Sequence, residues 1–217
     1  DHAAAMIKRP KLCFSLVTAH EGVRGIFVGT PEEAYDKAAD LSLINKEFHL
    51  PFFITQDHLG PSVRISKVRA YAETAPALAK AFRYDRKVLA EQGIIGREIE
   101  CSVLGNEEPR ASLPGEVIPF REFYDYRDKY LEGRTQFRIP AELPGRKIKE
   151  IQRLAVEAYK AVECSGLARL DFFLEEKTGK IYVNEINTIP GFTEISMYPK
   201  LWGVSGIPFP RLVEELI

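Results

Sequence analysis

Two alternating segments within residues 165–187 constrain the fold of this chain more than any other feature. In the first, Leu167, Arg169, Asp171 and Phe173 lie on one side of an extended strand, and Ala168, Leu170, Phe172 and Leu174 lie on the other. The run 181–183 forms the return strand. A three-residue connection, Lys177 to Gly179, places glycine where a positive φ is needed and pairs Glu176 with Lys180. The segment is therefore predicted to be a β-hairpin.

The same register brings polar side chains together on one face of the hairpin. Asp171 lies directly opposite Glu185, and Arg169 and Asn187 flank the pair. Asn187 alone could close the strand by turn chemistry, but neighbouring carboxylates on a buried face are costly unless their charge is compensated. Carboxylate and amide oxygens suit a hard cation such as Mg²⁺, and two such ions with a polyphosphate would supply the compensation. We therefore predict a functional site here.

The composition is that of an ordinary globular protein, with 217 residues, of which 45% are hydrophobic and 28% charged. A net charge of −1 gives no basis for nucleic-acid binding. No apolar run approaches the roughly 20 residues of a membrane span, and no signal peptide is evident at the start, which resembles a point within a longer chain. Cys13, Cys101 and Cys164 are widely spaced, which is typical of reduced thiols in a cytoplasmic protein.

The rest of the chain mixes helical and extended patterns. Helices are predicted at 31–41, 74–84, 147–162, 196–203 and 209–217, and strands at 51–54, 63–68, 88–91 and 97–104. The apolar face is predicted to carry Ala75, Leu78, Ala79 and Phe82 in the helix at 74–84, and Ile148, Ile151, Ala155, Ala158 and Val162 in the helix at 147–162. Residues 123–140 are aromatic, charged and aperiodic, which indicates a functional loop. Residues 1–50 are poorly readable. The order of elements favours an α+β fold with mainly antiparallel sheets and a ligand bound between two layers.

Six segments, in this order, closely resemble D-alanine–D-alanine ligases of the ATP-grasp superfamily. They are residues 83–89, 96–101, 123–126 with Lys129-Tyr130, 166–174, 183–193 and 196–201. The resemblance covers residues 51–217 and implies the ATP-grasp fold. It also implies a central subdomain at 1–105 and a carboxy-terminal subdomain at 106–217 that carries a mobile loop at 123–140. The family's amino-terminal domain has no counterpart in this sequence.

The resemblance implies ATP- and Mg-dependent ligation of two D-alanine molecules to D-alanyl-D-alanine, through an acylphosphate, for peptidoglycan synthesis. Such phosphoryl transfer needs positioning and charge neutralisation more than covalent help. ATP and two Mg²⁺ ions, or Mn²⁺, would be the cofactors. A cytoplasmic homodimer is implied for the intact protein, with no nucleic-acid or membrane partner.

The match also assigns roles residue by residue. Asp171, Glu185 and Asn187 match the magnesium ligands, and Arg169 matches the arginine that stabilises the tetrahedral intermediate. The second D-alanine would lie against Ser196 and Met197, with Gly191 supplying a backbone amide. Nucleotide contacts are implied for Glu91 and Ile94 at the adenine, Glu98 at the ribose, and Lys129, beside Tyr130, with Thr55 and Ser62 at the phosphates.

The sequence departs from the family pattern near the phosphates. The family usually has lysine at the position of Thr55, and the loop after it carries Pro61, which has no amide hydrogen, and Arg64 in place of glycine. A second family lysine corresponds to His2. These departures keep open a nucleotide-binding relative with weakened catalysis. A D-alanine–D-lactate or other ATP-grasp ligase is a further alternative, although Tyr130 favours an amine acceptor because the lactate type commonly has phenylalanine there.

Overall fold

The computed structural model describes residues 25–28, 44–56, 65–85, 88–118 and 136–217. The chain forms two compact units and passes from the first to the second between Ile94 and Ile95. The strand at 96–104 belongs to the sheet of the second unit, and the border between subdomains at residue 105 stays a prediction. Each unit has its own sheet, and every strand pair in the described residues is antiparallel.

The first unit contains a four-stranded sheet and short helices. Its strands are β1 (Gly25–Val28), β2 (Phe52–Gln56), β3 (Ser66–Val68) and β4 (Val88–Gln92), in the order β1-β4-β2-β3. A 3₁₀ turn at Tyr71–Glu73 leads into helix α1 (Thr74–Ala81), and residues 44–47 are also helical.

The core of this unit lies between α1 and the sheet. Ala77, Leu78 and Ala81 of α1 belong to one buried cluster with Phe52 of β2. The predicted helix is present, but Ala75, which was expected on its apolar face, is exposed. Small residues at positions 77 and 81, one turn apart, let the helix approach the sheet on that side instead.

The second unit is built on a six-stranded sheet. Its strands are β5 (Gly96–Leu104), β6 (Arg110–Ala111), β7 (Gly115–Ile118), β8 (Gln136–Arg138), β9 (Leu167–Glu175) and β10 (Ile181–Asn187). Their order is β10-β9-β5-β7-β8, and β6 pairs with β5. Its helices are α2 (Gly145–Ala161), α3 (Met197–Val204) and α4 (Phe209–Glu214).

Helix α2 covers one face of this sheet. Its buried residues Ile151, Ala155 and Tyr159 recur every fourth position and pack with alternate side chains of β5 and β9. The Tyr159 hydroxyl also donates a hydrogen bond to the backbone oxygen of Gly105 at 3.0 Å. The predicted helix is confirmed, but Val162, expected on its buried face, is 40% exposed because the helix ends one residue before it.

Helices α3 and α4 cover one end of the opposite face. The Tyr198 hydroxyl donates to the Val103 carbonyl at 3.0 Å, and the Ser102 hydroxyl donates to the Tyr198 carbonyl at 3.2 Å. Tyr198 and Trp202 of α3 form a buried cluster with Leu212 of α4. These contacts fix the start of α3 on the face of β5 that α2 does not touch.

The sequence did not predict β6, β7 or β8, which are two to four residues long and too short for alternation to be recognised. Since β8 lies within 123–140, the loop prediction is wrong for residues 136–138. The remainder of that loop up to residue 135 and the helix predicted at 31–41 lie outside the described residues. Among the helices that the structure describes, none combines the length and apolarity needed to cross a bilayer.

Candidate active site

Asp171 of β9 and Glu185 of β10 lie directly opposite each other in the hairpin. Arg169 and Asn187 pair in the same way. Because directly opposed residues of an antiparallel pair project to the same side, these four side chains share one face of the sheet. The structure therefore brings together the polar residues that the sequence predicted on this face.

An irregularity in β10 makes this arrangement possible. Val183 pairs with Phe172, in the register set at the turn, and Glu185 pairs with the next residue, Asp171. Asn184 is therefore an extra residue in β10, that is, a β-bulge. Ile181 and Val183 pack in the cluster under α2. Strict alternation would turn Glu185 into that cluster as well. The bulge at Asn184 moves Glu185 to the opposite face.

The turn of the hairpin differs from the prediction by one residue. The Glu175 amide donates to the Lys180 oxygen at 2.9 Å, so Glu175 and not Glu176 pairs with Lys180. Gly179 has a φ of +68°, in the left-handed region where it was predicted. The predicted three-residue connection is wrong because the loop contains one residue more. The bulge at Asn184 compensates for it, which is why the predicted pairing of the carboxylates still holds.

Arg169 is the positive centre of the polar face. Its Nε and Nη2 donate to the two carboxylate oxygens of Asp171 at 2.7 and 2.8 Å. The same Nε lies 3.2 Å from Oε2 of Glu100. Burial disfavours the charged guanidinium, but the hydrogen bond to Asp171 and the nearby carboxylate charges outweigh burial and raise the pKa of Arg169. Arg169 is therefore held charged and in a fixed orientation.

Arg169, Asp171, Glu185 and Glu100 together form a charged cluster on this face. Glu100 is the member that the sequence did not single out. It lies on β5, pairs with Asp171 of β9, and has a side chain only 9% exposed. Glu98 lies two residues earlier on the same strand face. The alternation of Glu98 and Glu100, beside a strand that carries Arg169, is the sequence signal that could have revealed it.

The donor atoms on this face suit a divalent cation. Asp171 and Glu185 supply carboxylate oxygens and Asn187 an amide oxygen, which Mg²⁺ and Mn²⁺ accept as ligands. Each Asp171 oxygen keeps a lone pair beyond the one that Arg169 uses. Within the described residues, no group of three or more histidine, cysteine, aspartate or glutamate side chains has metal-holding geometry. Asp171, Glu185 and Asn187 are the described residues on this face that could hold such a cation.

Asn187 also ends the strand. Its side-chain oxygen accepts a hydrogen bond from the Ile189 amide at 3.1 Å, which is the local turn chemistry typical of asparagine. The strand-closing role considered from the sequence is therefore present. The same oxygen has a second lone pair that a ligand could use. Beyond Asn187 the chain leaves the sheet, and Ile189 and Ile195 are exposed.

Gly191 and Ser196 approach each other in the loop after β10. A Cβ built on Gly191 would lie 3.0 Å from the Ser196 hydroxyl oxygen, so glycine permits this approach. That oxygen also accepts a hydrogen bond from the Thr193 amide at 3.2 Å, and Ser196 directly precedes α3. The structure therefore places together two of the three residues that were predicted to bind the second D-alanine.

Met197, the third of these residues, is buried. A Cβ built on Gly115 would lie 2.9 Å from the terminal carbon of Met197, and Gly115 pairs with Glu100. Met197 therefore packs over β7 next to the charged cluster and helps to seat α3 on the sheet. Its contact with a substrate stays a prediction.

The predicted nucleotide contacts are divided between the two units. Glu91 on β4 accepts a hydrogen bond from the Thr55 hydroxyl at 3.4 Å. Burial raises the pKa of Glu91, and this hydrogen bond partly opposes the rise. Ile94 is the last residue of its segment in the first unit, and Glu98 lies on β5 of the second. Lys129, Tyr130 and Ser62 lie outside the described residues.

Comparison with known proteins gives the class. The family described as "D-ala D-ala ligase C-terminus" matches residues 26–217. A D-alanine–D-alanine ligase from Solibacter usitatus (strain Ellin6076) is 59% identical over 167 residues, which cover 77% of this chain and 51% of the relative. Another from Acetivibrio thermocellus is 52% identical over 189 residues, which cover 87% of this chain and 50% of the relative.

Solved structures agree with the sequence comparison. The D-alanine–D-alanine ligase from Coxiella burnetii is 36% identical, with a TM-score of 0.73 over 99% of this chain and 53% of its own. The VanG D-Ala:D-Ser ligase from Enterococcus faecalis is 32% identical, with a TM-score of 0.80 over 93% of this chain and 58% of its own. The predicted α+β fold of the ATP-grasp class is therefore confirmed. The chain belongs to the D-alanine–D-alanine ligase family, whose carboxy-terminal part it matches. It spans about half the length of the curated relatives it matches.

Proposed function

We propose that the intact protein joins two D-alanine molecules, using ATP and a divalent cation, in the synthesis of peptidoglycan. The observation that carries the proposal is the convergence of Arg169, Asp171 and Glu185 on one face of the second sheet. Family membership supplies the reaction to which such a face is suited. The protein would act in the cytoplasm as a homodimer, with Mg²⁺ as its cation and Mn²⁺ as a substitute, and would bind neither nucleic acid nor membrane.

The charged cluster would serve the phosphoryl transfer and the attack that follows. A cation held by Asp171, Glu185 and Asn187 would neutralise polyphosphate charge. Arg169 would stabilise the negative charge that develops on the substrate oxygens when the amine attacks the acylphosphate. Its orientation by Asp171 means that little reorganisation is needed at that moment.

The acceptor amino acid would bind beside the loop that follows β10. The approach of Gly191 to Ser196 places a backbone amide and a hydroxyl close together, which suits recognition of a small zwitterion. Met197 would contribute an apolar wall from the start of α3. The remaining proposed contacts are Glu91, Ile94 and Glu98 to the nucleoside, and Thr55, Ser62, Lys129 and Tyr130 at the phosphates.

A nucleotide-binding relative with weakened catalysis is the second candidate. Where the family usually has a lysine, Thr55 offers a neutral hydroxyl, and that hydroxyl is directed at Glu91. Such a relative would bind nucleotide but would have no use for an oriented arginine among carboxylates. The arrangement around Arg169 therefore favours the ligase.

Phosphate release from ATP tests the proposal on the intact protein. We expect release to require both Mg²⁺ and D-alanine. Adding D-serine or D-lactate to limiting D-alanine identifies the acceptor, because each mixed product has its own mass. Nucleotide binding without D-alanine-dependent release would support the weakened relative and would contradict the ligase.

A pair of arginine variants localises the activity. Arg169→Lys keeps the charge but loses the bidentate fork, and it should lower kcat by roughly 100-fold or more. Arg153→Lys is the control, because Nη1 of Arg153 donates to both carboxylate oxygens of Glu157 on the exposed side of α2, away from the polar face of the sheet. It should leave kcat unchanged. Equal effects of the two substitutions would mean that Arg169 has no role in the reaction.

A further inference from the structure

Glu100 and Asp171 share the same nitrogen of Arg169. Nε donates to Oδ1 of Asp171 at 2.7 Å and lies 3.2 Å from Oε2 of Glu100. A single N–H has one proton, so Asp171 takes the directional hydrogen bond and Glu100 contributes mainly as a second negative charge. The side chains of Glu100 and Arg169 are only 9% and 13% exposed. This contact is therefore much less weakened by solvent than a surface ion pair would be.

We propose that Glu100 is a positioning residue, which keeps Arg169 anchored in the site when Asp171 shares its oxygens with a divalent cation. The proposal rests on the function proposed above. A cation bound to Asp171 withdraws charge from the carboxylate that holds Arg169 and repels the guanidinium. Without a second anchor Arg169 would lose its orientation at the stage when the reaction needs it.

The charges around Arg169 support this division of roles. Asp171, Glu100 and Glu185 all act electrostatically on the guanidinium. Counted by formal charge, these three carboxylates and one guanidinium carry −2, which one divalent cation balances. With Glu100 neutral the net charge would be −1, and the cation and Arg169 would compete for the remaining carboxylates. Glu100 thus allows both positive groups to be held together.

The position of Glu100 suits an anchor. It lies on β5, the central strand of the sheet order, where it pairs with Asp171 on one side and Gly115 on the other. Met197 packs over Gly115. A carboxylate on a rigid, paired strand keeps its place better than one on a loop, and supporting groups of this kind fix the ligands they touch.

The test compares Glu100→Gln with a matched control, Glu116→Gln. Glu116 is also a buried carboxylate of this sheet that pairs with an arginine, since Arg97 donates to both of its oxygens at 2.7 and 2.8 Å. It pairs with Ile99, whose side chain packs under α2, so Glu116 lies on the other face of the sheet. Each intact variant is titrated with Mn²⁺ in the presence of ADP by calorimetry, and kcat and the ATP KM are measured.

Glu100→Gln should weaken Mn²⁺ binding and lower kcat by roughly 10- to 100-fold each, with the ATP KM within about threefold of wild type. Glu116→Gln should lower Tm and leave Mn²⁺ affinity and kcat within about threefold. Glu100→Asp keeps the negative charge but shortens the side chain by one methylene. Compared with Glu100→Gln, it should recover Mn²⁺ affinity more fully than it recovers kcat.

Several results would overturn the proposal. One is wild-type Mn²⁺ affinity in Glu100→Gln, and another is an equal loss in Glu116→Gln. If Glu100→Gln does not fold, Glu100→Asp decides alone, and wild-type kcat in that variant would refute an anchoring role. Absence of ligase activity in the wild type would instead refute the proposed function, while the Mn²⁺ titrations would still report on Glu100.

Discussion

Glu185 reaches its position opposite Asp171 through the one-residue bulge at Asn184. Strict alternation from Ile181 and Val183 would direct Glu185 into the apolar cluster under α2, where an unpaired carboxylate is strongly unfavourable. The bulge lets one short strand supply apolar side chains to the core and oxygen donors to the opposite face. Bulges recur next to active sites because they re-aim side chains in this way.

Substitution of either of the paired carboxylates should weaken cation binding. Asp171→Asn and Glu185→Gln should each weaken Mn²⁺ binding in the presence of ADP by at least the roughly 10- to 100-fold that loss of an outer-shell partner costs. Asn184→Ala is the control, because Asn184 is exposed and adjacent to Glu185. Calorimetric titration of the three variants checks this, and a loss in Asn184→Ala as large as in the others would argue against these ligands.

Much of this hairpin could be predicted from the sequence because its constraints are local. Alternation along β9 fixes which residues share a face, and Gly179 marks the turn. The bulge could not be predicted, because nothing in the residue types around Asn184 requires one. The predicted opposition of Asp171 and Glu185 was correct although the loop was one residue longer than expected, since the bulge added a residue to the return strand.

The close approach of Gly191 to Ser196 predicts an effect on acceptor binding. In Gly191→Ala the new methyl would lie 3.0 Å from the Ser196 oxygen, so Ser196 must shift. We expect the KM for the acceptor D-alanine to rise by roughly tenfold, the effect of about 1.4 kcal/mol, with the ATP KM unchanged. Steady-state kinetics at saturating ATP measure the effect.

Gly203→Ala is the matched control for that substitution. Gly203 lies within α3, and nothing within 4 Å would meet its new methyl. Alanine there should stabilise the protein by about 0.4–1 kcal/mol through a less flexible unfolded chain, with unchanged kinetics. An unaltered acceptor KM in Gly191→Ala would remove this loop from the acceptor site.

The stability difference between wild type and Glu91→Gln should depend on pH. Burial raises the pKa of Glu91 above its usual 4.5, against a smaller opposing effect of the hydrogen bond from Thr55. A folded-state pKa above the unfolded value favours folding below about pH 4.5, and this contribution is lost as the pH rises through the raised pKa. Glu91→Gln should therefore have a higher Tm than wild type near pH 7, and the advantage should shrink as the pH falls through the raised pKa towards about 4.5. Thermal melts across this range check it, and a difference that does not change with pH would contradict it.

Substitution of Thr55 by lysine should increase the affinity for ATP. A lysine at this position would bring an ammonium towards the phosphates, where a charge-assisted contact contributes about 1.5–3 kcal/mol. Thr55→Lys should therefore bind ATP roughly ten- to a hundredfold more tightly by calorimetry. Adding Pro61→Ser and Arg64→Gly, which lie outside the described residues, should improve binding further.

Thr55→Val is the control, because it removes the hydroxyl that donates a hydrogen bond to Glu91 and adds no charge. Its ATP affinity should equal that of wild type. In Thr55→Lys the new ammonium has Glu91 within reach as a competing partner. Unchanged affinity in all the lysine variants would mean that this segment does not contact the phosphates.

Glu100 shows why part of the site was missed. Its role depends on β5 and β9 lying side by side in the sheet, although they are more than 60 residues apart in the chain. Alternation predicts which face a residue occupies but not which strand lies beside it. The buried face of α1 was misjudged for a related reason, since several spacings of small residues fit a helix of eight residues equally well.

The most direct test of the account is formation of D-alanyl-D-alanine by the intact protein, measured by mass spectrometry with ATP, Mg²⁺ and D-alanine. We predict dipeptide in the wild type and in Asn184→Ala, and at least a roughly hundredfold loss in Asp171→Asn and Arg169→Lys. Dipeptide formed at the wild-type rate by Asp171→Asn, or no dipeptide from the wild type, would contradict the account.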